Sequence, residues 1–73
     1  MIRMNMVCCD FVICNEIKQG LRQKDIAMSY AMAVRSEAAG ADKPDWKKIN
    51  GAITAKWGTR GLHRIKTLAW KLI

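Results

Sequence analysis

The sequence predicts an all-α fold, a compact bundle of three to four short helices ending in a helix-turn-helix-like hairpin. Three observations carry that expectation. Apolar residues recur at spacings of three and four rather than two. Helix-stopping residues, Gly20, Gly40, Pro44 and Gly58, fall between those stripes. A hydrophobic fraction of 51% with a single proline favours a folded chain over a disordered one.

At 73 residues the chain is read as one domain, 1–73. A domain of this size buries only about 60% of its unfolded surface, so its core is marginal and dimerisation stays open. It has no room for a deep enclosed substrate pocket. Size therefore points to a binding module, an inhibitor or an assembly piece.

Residues 1–20 read two ways. MVCCDFVIC is β-branched and aromatic enough for a buried strand. Ile13, Ile17 and Leu21 recur at four-residue spacing, which suits a helix. A lone strand has no partner in this chain, so the expectation is a helix over about 9–19 after an irregular start. Gly20 then ends it in the left-handed conformation. Met1, Met4 and Met6 leave the translation start open.

Residues 22–39 form the clearest helix, rich in alanine and methionine, with Ile26, Tyr30, Ala33 and Val34 on one face and Ala27 and Ala38 nearby. Gly40 stops it, and Pro44 opens the next helix. That third helix, about 45–57, carries Trp46, Ile49, Ile53 and Trp57 at spacings of 3, 4 and 4. Both tryptophans are expected in the core. Gly51 interrupts helix propensity, and close approach of another helix is the expected reason, ahead of close approach of a phosphate backbone. The turn WGTRG, with Gly58 as C-cap, leads to a fourth helix over about 60–72. Its buried side is Leu62, Ile65, Leu68, Ala69 and Leu72.

Charge is asymmetric. Residues 44–73, the proposed basic hairpin, hold Lys47, Lys48, Lys56, Arg60, Arg64, Lys66 and Lys71 against the single acid Asp45. Residues 1–43 hold six cations and five acids, so the C-terminal segment carries nearly all of the net +7. Arg60, Arg64, Thr67 and Lys71, spaced 4, 3 and 4, form one exposed stripe opposite the apolar one. Successive cations on such a face stand about 6 Å apart, close to the separation of neighbouring phosphates. Arginine binds a phosphate through two parallel hydrogen bonds, and threonine adds a neutral one. The bland alternative is a solvated face, but ordinary solvent faces mix both signs. Trp70 sits at the stripe's edge, where it either stacks on an unpaired base, anchors a protein interface or packs on the N-terminal segment.

Other chemistry is poorly represented. Cys8, Cys9 and Cys14 lie within one short stretch and staple nothing, which fits free thiols in a reducing cytoplasm. They are read as fillers of small apolar gaps. Paired zinc-ligand spacing is missing, His63 has no triad partners, and the six carboxylates form no acid/base cluster. No cofactor or metal is implied, and the chain is not expected to be an enzyme. No run approaches the roughly 20 apolar residues of a membrane span, and Asp10 with no cleavage pattern argues against a secretory signal.

Two stretches resemble known proteins. LRQKDIAMSYA, Leu21 to Ala31, resembles the first helix of the helix-turn-helix in phage-type repressors. Leu21, Gln23, Ile26 and Ala27 match the pattern, and Ala31 stands where the family has glycine. MAVRSEAAG then supplies no turn and no recognition helix. WKKINGAITAKWGTRGLHRIKTLAWK, Trp46 to Lys71, is similar to basic helical hairpins in small proteins of bacteriophages and other mobile elements. That resemblance implies either nucleic-acid binding or blockade of a nucleic-acid-processing machine.

The functional expectation is a small cytoplasmic protein that binds DNA or RNA. Arg60, Arg64 and Lys71 contact phosphates, Thr67 and Trp70 assist, and Lys47, Lys48, Lys56 and Lys66 widen the field. The alternative is an inhibitor or accessory subunit docked on a larger nucleic-acid-processing complex. Attachment to a membrane is not expected.

Overall fold

The computed structural model describes residues 9–40 and 43–73. These form three helices and no strand: α1 (Cys9–Lys18), α2 (Gln23–Ala38) and α3 (Trp46–Leu72). The expected strand-or-helix ambiguity of the N-terminal region resolves to helix from Cys9 onward; the irregular start expected before it lies outside the described residues.

Local chemistry sets the ends. Gly20 has φ +83°, its N–H donates to the Ile17 carbonyl, and the Leu21 N–H reaches the Glu16 carbonyl. That pair of bonds is a Schellman motif, and it stops α1 where the sequence indicated. α2 starts at Arg22, which is extended and offers no side-chain cap. It ends at Gly40, where φ is +84° and the N–H donates to the Glu37 carbonyl. At α3, Asp45 is the N-cap, its Oδ1 accepting from the Lys48 N–H at 3.1 Å. Pro44 stands one residue before that cap rather than inside the helix, and is buried.

The core joins Ile13 and Ile17 of α1, Ile26, Ala27, Tyr30, Ala31 and Ala33 of α2, and Ile49, Ile53, Ile65 and Ala69 of α3. Ile13, Ile26, Ile49, Ile53 and Ile65 are almost fully buried, each contributing about 1.5–3 kcal/mol of apolar transfer energy. The alanines of α2 let its neighbours approach closely. The radius of gyration, 11.9 Å, is near the roughly 11 Å of a compact chain of this length.

Polar side chains tie the helices together at the edge of this core. Ser29 donates to Glu16 at 2.7 Å across α1 and α2. Between α2 and α3, the Tyr30 hydroxyl donates to Asn50 at 3.1 Å and the Trp46 indole N–H donates to Glu37 at 2.8 Å. The Tyr30 and Trp46 rings meet at 5.0 Å, tilted by 43°. Trp46 and Trp57 are thus half-buried against the core, less enclosed than expected.

α3 departs from helical geometry at one residue, Gly58, with φ 79° and ψ 179°. Only glycine settles readily in that region. The expected multi-residue turn contracts to this one position. Four helices become three elements, because helical bonding resumes at once on the far side. The break brings Trp57 and Gly61 together. A Cβ built on Gly61 would lie 2.2 Å from the Trp57 Cβ, where an unbroken helix separates such atoms by about 5–6 Å. The two parts of α3 therefore meet α2 in opposite order. Trp46 and Asn50 lie by Glu37 and Tyr30, towards the end of α2. Gly61 lies by Gln23 at its start, and Leu68 and Leu72 lie by Met28.

Three expectations about packing need correction. Among the described residues nothing lies within 4 Å of the point a Cβ would occupy at Gly51, so no described helix approaches it. The close approach belongs to Gly61 instead. Leu72 is 42% exposed and Ala38 is exposed.

Candidate nucleic-acid interface

The second part of α3 is fixed by Ile65 and Ala69, both buried, with Leu62 and Leu68 packed beside them. Anchoring that side turns the opposite one outward. Arg60, Arg64, Thr67 and Lys71 are all exposed, as the helical spacing requires. Among the described residues Glu16 accepts from Ser29, Glu37 from Trp46 and Asp45 from the α3 cap, while Asp25 is exposed in the first turn of α2.

The structure separates the nine sequence-derived residues into groups. Arg60, Arg64, Thr67 and Lys71 share one face. Lys66 and Trp70 lie on its flank, about 40° from each other around the axis, with exposed His63 close by. Trp70 is 63% exposed, which sets aside packing on the body of the fold. Lys47, Lys48 and Lys56 do not gather. They are exposed, but Lys48 and Lys56 stand about 100° and 180° from Lys47 around the helix. Lys48 borders a depression of about 280 Å³ with Phe11, Cys14, Asn15 and Lys18, on the α1 side. These three lysines add to the general field rather than to one surface.

Thr67 differs from expectation in chemistry. Its hydroxyl donates to the His63 carbonyl at 2.9 Å, one turn back along α3. Its only proton is committed there, so it offers a phosphate no hydrogen-bond donor unless that bond breaks. The cations of the stripe are Arg60, Arg64 and Lys71.

Sequence reasoning missed Lys24. It is exposed in the first turn of α2 and shares with Lys71 a depression of about 180 Å³ also lined by Ala27, Met28, Leu68 and Leu72. Charge balance over residues 1–43 hid it. Only the order in which α3 passes α2 brings the two lysines to one depression.

Cys14 is half-buried and borders the α1 depression; the side chains of Cys8 and Cys9 lie outside those described. Among the described residues no group of three metal-binding side chains converges, and no helix is long and apolar enough to cross a membrane. The fold and site together define a small all-helical chain with one basic, solvent-facing helix side. No protein family, curated protein or solved structure matches the chain. The functional reading rests on geometry and charge.

Proposed function

We propose that this chain is a small, basic, cytoplasmic nucleic-acid-binding protein, with α3 acting as a helix-turn-helix-like hairpin hinged at Gly58. The carrying observation is the exposed run Arg60, Arg64, Lys71 on a helix side free of acids. Arg60 and Arg64, one turn and about 6 Å apart, suit neighbouring phosphates, and Lys71, about 10 Å further along, suits one beyond, with Lys24 and Lys66 adding charge at the edges. Trp70, exposed on the flank, is suited to stacking on an unpaired base. Contacts of this kind read the backbone, so binding is sequence-tolerant.

A mobility-shift titration at two salt concentrations tests the reading on duplex DNA, single-stranded DNA and RNA. Binding that weakens with salt is expected, and Arg64→Ala or Lys71→Ala each flattens the salt slope by about one unit. No shift with any of the three nucleic acids at low salt overturns it.

The exposure of Trp70 beside the stripe also supports a second reading. In it, the protein is an inhibitor or accessory subunit, and the same face docks on an acidic groove of a nucleic-acid-processing complex. A specific partner that stays bound after nuclease digestion, and is lost with Trp70→Ala, favours this reading over the first.

A further inference from the structure

An exposed apolar surface lies elsewhere, between α2 and the end of α3. Met28 is 53% exposed, Met32 62%, Leu72 42% and Ile73 49%. Two adjoining depressions, of about 340 and 180 Å³, share Met28 and Leu72. The first is floored by Ala31 and closed at one end by Arg35, whose guanidinium donates to the Leu72 carbonyl. The second continues past Ala27 and Leu68 to Lys24 and Lys71. Together they make a shallow apolar trough with Arg35 at one end and Lys24 and Lys71 at the other.

We propose that this trough binds an acidic amphipathic helix of another protein. Met28 and Met32 stand one turn apart on α2, so their flexible thioethers can mould around bulky side chains presented at helical spacing. Lys24, Arg35 and Lys71 are positioned for glutamates or aspartates flanking that apolar stripe. Neither depression is lined by an acid, and Asp25 is exposed beside Lys24 in the first turn of α2. Charge decides between occupants. A second copy would set Lys24, Arg35 and Lys71 against their own counterparts in a molecule of net charge +7. Residues 1–8 contain Arg3 and no acid, so they lack the complementary charge as well. An acidic helix meets both requirements, apolar knobs for the trough and anions for its rim. This surface is separate from the proposed phosphate contacts except at Lys71, and either assignment can fail alone.

The probe is a synthetic peptide of about 18 residues, with leucines at helical spacing flanked by glutamates. It is titrated into full-length protein carrying ¹³C-labelled methionine methyl groups. Saturable shifts are expected at the Met28 and Met32 methyls. The double variant Met28→Gln/Met32→Gln changes only exposed side chains and should weaken the peptide about tenfold or more, while nucleic-acid binding through Arg60 and Arg64 is retained. A peptide with lysine in place of glutamate should not bind. Absence of saturable shifts, or equal response to the lysine or a scrambled peptide, overturns the proposal. So do shifts at Met28 and Met32 that follow protein concentration alone, or that need phosphatidylglycerol vesicles rather than peptide.

Discussion

Gly51 and Gly61 lie in the same helix, and replacing each by alanine should change stability in opposite directions. At Gly61 the new Cβ falls 2.2 Å from the Trp57 Cβ and 3.3 Å from its Cγ. Carbon atoms make comfortable contact at about 3.5–4.0 Å, so the overlap exceeds about 1 Å. Both Cβ atoms are bonded directly to backbone, and no rotamer relieves the clash; the break at Gly58 must open. Overpacking of this kind costs about 1–3 kcal/mol, against a gain of about 1 kcal/mol for alanine over glycine in a helix. An overlap this large lies at the upper end of that range, so the expected net loss is about 2 kcal/mol, a fall in Tm of roughly 8–16 °C for a domain of this size. At Gly51 nothing among the described residues lies within 4 Å, so only the helix gain operates. Gly51→Ala should stabilise by about 0.5–1 kcal/mol and raise Tm by a few degrees. Thermal and urea denaturation followed by circular dichroism measure both. Trp57→Ala should not rescue Gly61→Ala, because the clashing Cβ remains. A Gly61→Ala protein as stable as wild type would refute the sharp turn at Gly58 and the course of α3 that depends on it.

Gly58→Ala forces a non-glycine residue into φ 79°, ψ 179°, and should cost about 1–3 kcal/mol in the same denaturation assay. Trp46→Phe keeps the ring contact with Tyr30 but removes the donor to Glu37, and should cost about 1–2 kcal/mol, with little further loss when combined with Glu37→Gln. Burial raises the Tyr30 hydroxyl pKa above its ordinary value of 10.0. The folded state then holds this proton more tightly than the unfolded chain. Its contribution is full below pH 10.0 and is lost as pH rises through the folded value. Tyr30→Phe should remove that alkaline dependence, read from urea midpoints across the range.

The helices were largely legible because their signals are local. Ile13 and Ile17, then Gly20 with its positive φ, mark α1 in the sequence and in space. The spacing of Trp46, Ile49, Ile53 and Trp57 marks the buried side of the first part of α3. What could not be read depends on distant contacts. Gly51 and Gly61 look alike in sequence, and only the turn at Gly58 decides which one is crowded. Gly58 reads as a helix stop, but its ψ of 179° rather than a left-handed helical value is what lets helix resume so soon. For the candidate site, helical periodicity alone gathers Arg60, Arg64 and Lys71. Lys47, Lys48 and Lys56 were grouped with them by charge count, which carries no direction. Lys24 and the methionine trough needed the order in which α3 passes α2.

The basic side of α3 is tested most directly by the salt dependence of nucleic-acid affinity, measured by fluorescence anisotropy with labelled duplex and single-stranded oligonucleotides. The wild-type protein should give a steep linear fall of log K with log salt. The triple variant Arg60→Gln/Arg64→Gln/Lys71→Gln should be shallower by about 2–3 units, and Lys47→Gln/Lys48→Gln/Lys56→Gln should change the slope less. An unchanged slope in the stripe variant, or equal loss in the two triple variants, would contradict a binding surface at Arg60, Arg64 and Lys71.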